Sequence, residues 1–141
     1  MEGHNLTLIK GEEQLVISLL LEMTAKLSQN EKVIFIDNND TFSGLEFTYE
    51  FPYAYLENII VLKPLTKHQL WKELVGLSSG LKNNPKIIVT PFEFRNSKIF
   101  PFKVINRIIK LSKRFTVVVG ITENSNLDLG LDRFSQISVK I

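Results

Sequence analysis

The chain contains no cysteine and only two histidines. The first absence excludes a disulfide scaffold, thiolate metal sites and a cysteine nucleophile, and it fits an intracellular protein. The second leaves too few soft ligands for a histidine metal centre, so no metal and no cofactor is expected. No apolar run is long enough to span a bilayer: the longest, Leu15 to Leu21, is broken by Ser18. The first residues, Met1 to Asn5, lack the basic start of an export signal. These readings predict a cytoplasmic protein with no membrane contact. Excess charge of one sign is also missing. Seventeen basic against fifteen acidic residues leave a formal net charge of +2, too little to mark a nucleic-acid binder by composition.

What is present is a hydrophobic content of 44% in 141 residues, enough for one domain, 1–141, that buries about 70% of its unfolded surface. Short β-branched runs alternate with amphipathic stretches. Leu6 to Gly11, Lys32 to Asp37, Asn58 to Leu62, Lys86 to Thr90 and Thr116 to Ile121 read as strands. Glu13 to Ser28, Thr66 to Leu81 and Pro101 to Arg114 read as helices. Strands apolar on both faces alternating with helices predict an α/β fold, with a mostly parallel central sheet and helices on both faces. The stretch from Asn38 to Glu57, punctuated by glycine and proline, reads as a loop with one helical turn. The alternating Tyr49, Phe51, Tyr53 and Tyr55 read as a small hairpin or a sticky surface. Phe134 to Ile141 alternates strictly, as an edge strand with one wet face would.

Gly11-Glu12-Glu13-Gln14-Leu15-Val16-Ile17-Ser18 follows the first strand, where a P-loop nucleotidase carries G-x-x-x-x-G-K-S/T. Only Gly11 and Ser18 agree with that pattern, as vestiges. Val16 replaces the second glycine, Ile17 replaces the phosphate-binding lysine, and two carboxylates stand where a phosphate would approach. A helix N-terminus attracts anions, and acidic side chains there repel a phosphate.

The order of elements, together with Ile36-Asp37-Asn38-Asn39-Asp40-Thr41-Phe42 after the second strand, resembles the ATPase core of the RecA/RadA recombinase family and its smaller paralogues. The resemblance implies a RecA-like P-loop ATPase core lacking a functional Walker motif. The family's catalytic glutamate would correspond to Asn39, and its magnesium-binding aspartate to Thr90 or Pro91. Phosphoryl transfer depends on those groups, so the resemblance implies a non-catalytic paralogue. Such a protein would be an accessory subunit in DNA recombination or repair, bound to a recombinase, another paralogue or itself. The alternative is a nucleotide-binding protein or enzyme with a rearranged site near Gly11, Ser18 and Asp37.

Two stretches offer contact surfaces. Phe92, Phe94 and Phe100 interleave with Arg95 and Lys98 in the connection after the fourth strand, where the resemblance places a DNA-contacting loop. Exposed aromatics there suit a protein partner, and aromatics with cations suit single-stranded DNA. Lys103, Arg107, Lys110 and Arg114, with Lys113 beside them, recur at helical spacing as a track for phosphate or as a solvated helix face. The loop acids Asp37, Asp40, Glu46, Glu50 and Glu57 have no recognisable basic or nucleophilic partner and read as loop caps. His68 lies one turn from Trp71 on a predicted helix and reads as inert. Trp71 either packs beneath that helix or anchors a partner.

Overall fold

The computed structural model describes residues 5–77, 81, 84–92, 100–123, 131, 135 and 137–141, without the side chains of residues 100 and 101. Six strands form one sheet: β1 (Leu6–Gly11), β2 (Val33–Ile36), β3 (Ile59–Leu62), β4 (Lys86–Val89), β5 (Val117–Thr122) and β6 (Ile137–Lys140). Their order is β3-β2-β4-β5-β1-β6, and every pairing is parallel. Parallel pairing brings the carboxyl ends of all strands to one edge of the sheet.

The central strands are buried on both faces, as their unbroken β-branched runs require. Ile34, Ile36, Ile87, Val89, Val117 and Val119 face one layer, with α3 (Lys67–Leu77) and α4 (Phe100–Ser112) packed over them through Leu70, Leu74, Val104, Ile108 and Leu111. Val33, Phe35, Ile88 and Val118 face the other, under α1 (Glu13–Ser28) through Val16 and Leu20. Gly120 sets how close α1 comes. A Cβ there would lie 2.7 Å from Val16 Cγ1 and 2.8 Å from Leu20 Cδ1, closer than real Cβ contacts allow, so glycine permits the helix to rest on β5.

The connection after β2 differs from the sequence expectation. It holds a seven-residue helix, α2 (Gly44–Glu50), and a 3₁₀ turn at Leu56–Asn58, with no hairpin among Tyr49 to Tyr55. Phe47 is buried at the centre of a row of rings running from Phe35 through Phe42, Phe47 and Phe51 to Tyr53, with successive centroids 4.7–6.0 Å apart. That row fixes α2 to the α1 side of the sheet: of the alternating aromatics Phe51 and Tyr53 join it, while Tyr49 and Tyr55 are exposed. β6 is an edge strand as expected, pairing in parallel with β1, but its four residues are all exposed, where one dry face was expected. Among the described residues no helix is long and apolar enough to cross a membrane.

Candidate functional site

The strand ends converge on a cleft of about 630 Å³ lined by Gly11, Glu12, Glu13, Asn38, Asn39, Pro64, Thr66, Lys67, Pro91, Phe92, Thr122 and Glu123 among others. This is the position where open α/β sheets bind ligands. The side chains there are largely committed to holding the strand ends together.

β1 passes into α1 across a single residue. Gly11 ends the strand, Glu13 opens the helix, and Glu12 between them is the N-cap, its Oε1 accepting from Gln14 N at 3.0 Å. The eight residues from Gly11 to Ser18 are therefore a strand end, a cap and the start of a helix, and they do not form a loop. Ile17 is buried on α1, while Ser18 is exposed on it and does not line the cleft. Gly11 has a different reason to be glycine. A Cβ would meet Ile141 Cγ1 at 2.7 Å and Ile141 O at 2.8 Å, where the backbone beyond β6 closes on Lys10 O.

At the end of β2, Asp37 is 1% exposed and organises the loop that follows. Its carboxylate accepts from the backbone N–H groups of Asn39, Thr41 and Phe42 at 2.8–3.3 Å and from Thr41 Oγ1 at 3.1 Å. Lys63, one residue beyond β3, donates to Asp40 Oδ1 at 2.9 Å and to Phe42 O at 2.7 Å, and lies 3.9 Å from Asp37 Oδ2. The loop also holds Asp40 at a φ of 51°, a left-handed conformation that aspartate tolerates better than most residues. The loop-capping reading matches the contacts of Asp37, whereas Asp40 has the basic partner that the sequence did not show, Lys63. Lys63 escaped the sequence reading, although its place was deducible: Ile36 pairs with Leu62, so Asp37 and Lys63 follow side by side.

Thr90 and Asn38 bridge β4 and β2. Asn38 N donates to Thr90 Oγ1 at 2.7 Å, Asn38 Nδ2 to Thr90 O at 2.9 Å, and Thr90 N to Ile36 O at 3.0 Å. The residue standing where the resemblance places a metal-binding aspartate is a buried hydroxyl with an internal partner. Asn39 donates through Nδ2 to Glu13 Oε1 at 3.3 Å, joining the β2 end to the start of α1. Glu12, Glu13 and Glu123 put three carboxylates on the rim around Gly11, whose carbonyl accepts from Glu123 N at 3.1 Å. A nucleoside triphosphate with its magnesium does not fit these residues. Among the described residues the β1–α1 junction supplies no converging N–H groups, and the carboxylates of Glu12, Glu13 and Glu123 repel phosphate, with Lys67 the one cation in the described lining. Among the described residues no group of three histidine, aspartate or glutamate side chains is placed to hold a metal ion.

The expected contact surface divides. Phe92 is buried in the layer under α3 and α4 and lines the cleft floor, which corrects its assignment as an exposed contact: the chain turns inward after Pro91, and the ring completes the core. Phe94, Arg95 and Lys98 lie outside the described residues, as does the Phe100 side chain, whose backbone opens α4. Lys103, Lys110, Lys113 and Arg114 are exposed on or just beyond α4, and Arg107 is partly buried. Lys103 Nζ sits 5.7 Å from the centroid of Trp71. The partly buried Trp71 of α3 packs against the core and, at 5.9 Å, neighbours His68.

No protein-family model matches the sequence, and no curated protein resembles it significantly in sequence. Solved structures do resemble the fold. The crystal structure of the RadB recombinase superposes with a TM-score of 0.59 at 14% identity, over 84% of this chain and 60% of the recombinase chain. This chain thus spans about three fifths of that protein. SulA from Pseudomonas aeruginosa superposes with a TM-score of 0.53 at 13% identity, over 83% of this chain and 98% of SulA. At such identities the likeness is one of architecture: the chain has a RecA-like α/β fold, similar to that of the RadB recombinase.

Proposed function

We propose that this protein is a non-catalytic RecA-family paralogue, an accessory subunit of DNA recombination or repair that works by binding. The observation that carries the reading is the passage of β1 through the single capping residue Glu12 into α1, which leaves no backbone cradle for phosphate. Three further positions support it. Ile17 is core, Asn39 ties β2 to α1, and Thr90 is spent on the β2–β4 bridge. The likeness to RadB is the ground for the process, and the surfaces are the ground for the mode. The exposed cations of α4 suit nucleic-acid phosphate, while Tyr49 on α2 and the exposed Tyr53 and Tyr55 after it suit a protein partner such as a recombinase or a paralogue.

The test is a titration of labelled single-stranded DNA, followed by fluorescence anisotropy at two salt concentrations, with ATP hydrolysis measured in the same samples. The proposal predicts no turnover above background with or without DNA. It also predicts that Lys110→Ala lowers any DNA affinity and flattens its salt dependence. Steady ATP turnover that DNA stimulates would overturn it.

A further inference from the structure

Asn39 carries an acceptor that the fold leaves unused. Its amide donates through Nδ2 to Glu13 Oε1 at 3.3 Å, and because a carboxylate only accepts, that bond settles which atom of the amide is nitrogen. The atom left over, Oδ1, is buried and accepts from no group among the described residues. Nearly every buried polar atom of a folded protein has a partner, so this one calls for a donor. Asn39 lines the cleft at the strand ends. A triphosphate, whose oxygens accept, does not supply that donor.

The charge of the lining points the same way. Glu12, Glu13 and Glu123 are exposed, and none is in an ion pair among the described residues, whereas Asp37 and Asp40 share Lys63. Against these three carboxylates the described lining sets one ammonium, that of Lys67, which leaves an excess of two negative charges. The acids stand apart along the sheet edge. Glu13 meets Asn39 after β2, while Glu123 follows β5 and donates its N–H to Gly11 O, next to Glu12. In the strand order only β4 separates β2 from β5, so these two points are two strand spacings apart, roughly 10 Å. Pro91 and Phe92, which follow β4, form the apolar wall between them.

We propose that this cleft binds an aliphatic diamine or polyamine. One ammonium sits between Glu13 and Asn39, the other at Glu12 and Glu123, and the methylene chain lies over Pro91 and Phe92. An ammonium has three N–H donors and no acceptor, so one such group serves both the Glu13 carboxylate and Asn39 Oδ1. On binding, the amide and the exposed Glu13 side chain turn so that both oxygens face the ligand. The two positive charges match the excess of the lining, and the apolar stem matches the wall between the acids. The site goes beyond the accessory-subunit reading and does not depend on it: it gives a ligand of opposite charge to a cleft that repels a nucleotide.

The experiment is isothermal titration calorimetry of the full chain with putrescine in about 50 mM salt, where charge pairs are only partly screened. Wild type should bind one equivalent with a dissociation constant of about 1 mM or tighter. Butylamine, with a similar stem and a single ammonium, should bind at least about tenfold more weakly. Magnesium chloride and the uncharged butanediol should give no saturable heat. Glu13→Gln, whose amide oxygen still accepts from Asn39 Nδ2, and Asn39→Leu, which changes no charge, should each weaken putrescine binding at least about tenfold. Glu123→Gln, at an exposed position, should weaken it too, and it keeps the test decisive if circular dichroism shows Asn39→Leu to be unfolded. Glu46→Gln with Glu50→Gln, on α2 and outside the cleft lining, should bind as wild type does. A wild type without saturable heat, a folded Asn39→Leu or a Glu123→Gln variant that binds as wild type does, or magnesium or butylamine binding as tightly as putrescine would overturn the proposal. So would an α2 variant weakened as much as Glu13→Gln, since diffuse surface charge would then account for the binding.

Discussion

Replacing Asp37 by asparagine separates a structural carboxylate from a ligand-binding one. The side chain is buried at the end of β2, and its two oxygens accept from four donors: the N–H groups of Asn39, Thr41 and Phe42 and the Thr41 hydroxyl. An amide of the same shape keeps one oxygen and turns an NH₂ toward the rest. If Nδ2 takes the place of Oδ2, the Phe42 N–H at 2.8 Å and the Thr41 N–H at 3.0 Å face a donor. In the other orientation the N–H groups of Asn39 and Thr41 do so. Thr41 N–H reaches both oxygens and keeps one of them, so either way one N–H, that of Phe42 or of Asn39, is left facing a donor and the remaining bonds lose their charge, a loss of about 2–3 kcal/mol. The Lys63 contact at 3.9 Å, with that side chain 41% exposed, adds less than about 1 kcal/mol. Urea unfolding followed by far-ultraviolet circular dichroism measures this, and the midpoint should fall by about 1–2 M. A loss below about 1 kcal/mol would refute the reasoning. A carboxylate held ready for a ligand behaves the other way, because its neutralisation leaves the fold as stable or more so.

Two other substitutions probe the same architecture. Gly120→Ala drives a methyl into Val16 and Leu20 at 2.7–2.8 Å and should cost about 1–3 kcal/mol in denaturant unfolding as α1 is pushed from the sheet. Ile17→Lys, which restores the charge of a phosphate-binding lysine, places an ammonium at a position only 5% exposed; it should lower stability by about 2–4 kcal/mol and create no ATP turnover.

Much of the fold is legible in the residues because both of its periodicities are strong. Val33 to Ile36, Ile87 to Val89 and Val117 to Val119 are apolar at every position, which only a sheet covered on both faces accommodates, and all of them are buried. The start of α3 is marked by Thr66, whose hydroxyl accepts from Gln69 N at 3.0 Å while Gln69 Oε1 accepts from Leu65 N at 2.9 Å, a variant of the capping box. Less legible was α2. Seven residues with glycine at the first position make a weak local signal, and burial of Phe47 among rings distant in sequence stabilises it. The site was legible in its departures and illegible in its geometry. Ile17, Asn39 and Thr90 can be read as replacements. The direct β1–α1 junction and the Asn38–Thr90 bridge depend on partners far apart in the chain, as does the inward turn of Phe92. The order of strands was equally beyond local pattern, since β1 lies between β5 and β6 only because long crossovers place it there.

The claim that the β1–α1 junction holds no nucleotide is tested most directly by isothermal titration calorimetry of the full chain with ATP and magnesium. No saturable heat should appear below millimolar ligand, because Glu12, Glu13 and Glu123 surround the point where the phosphates would lie. A clear isotherm with a micromolar dissociation constant would contradict the account.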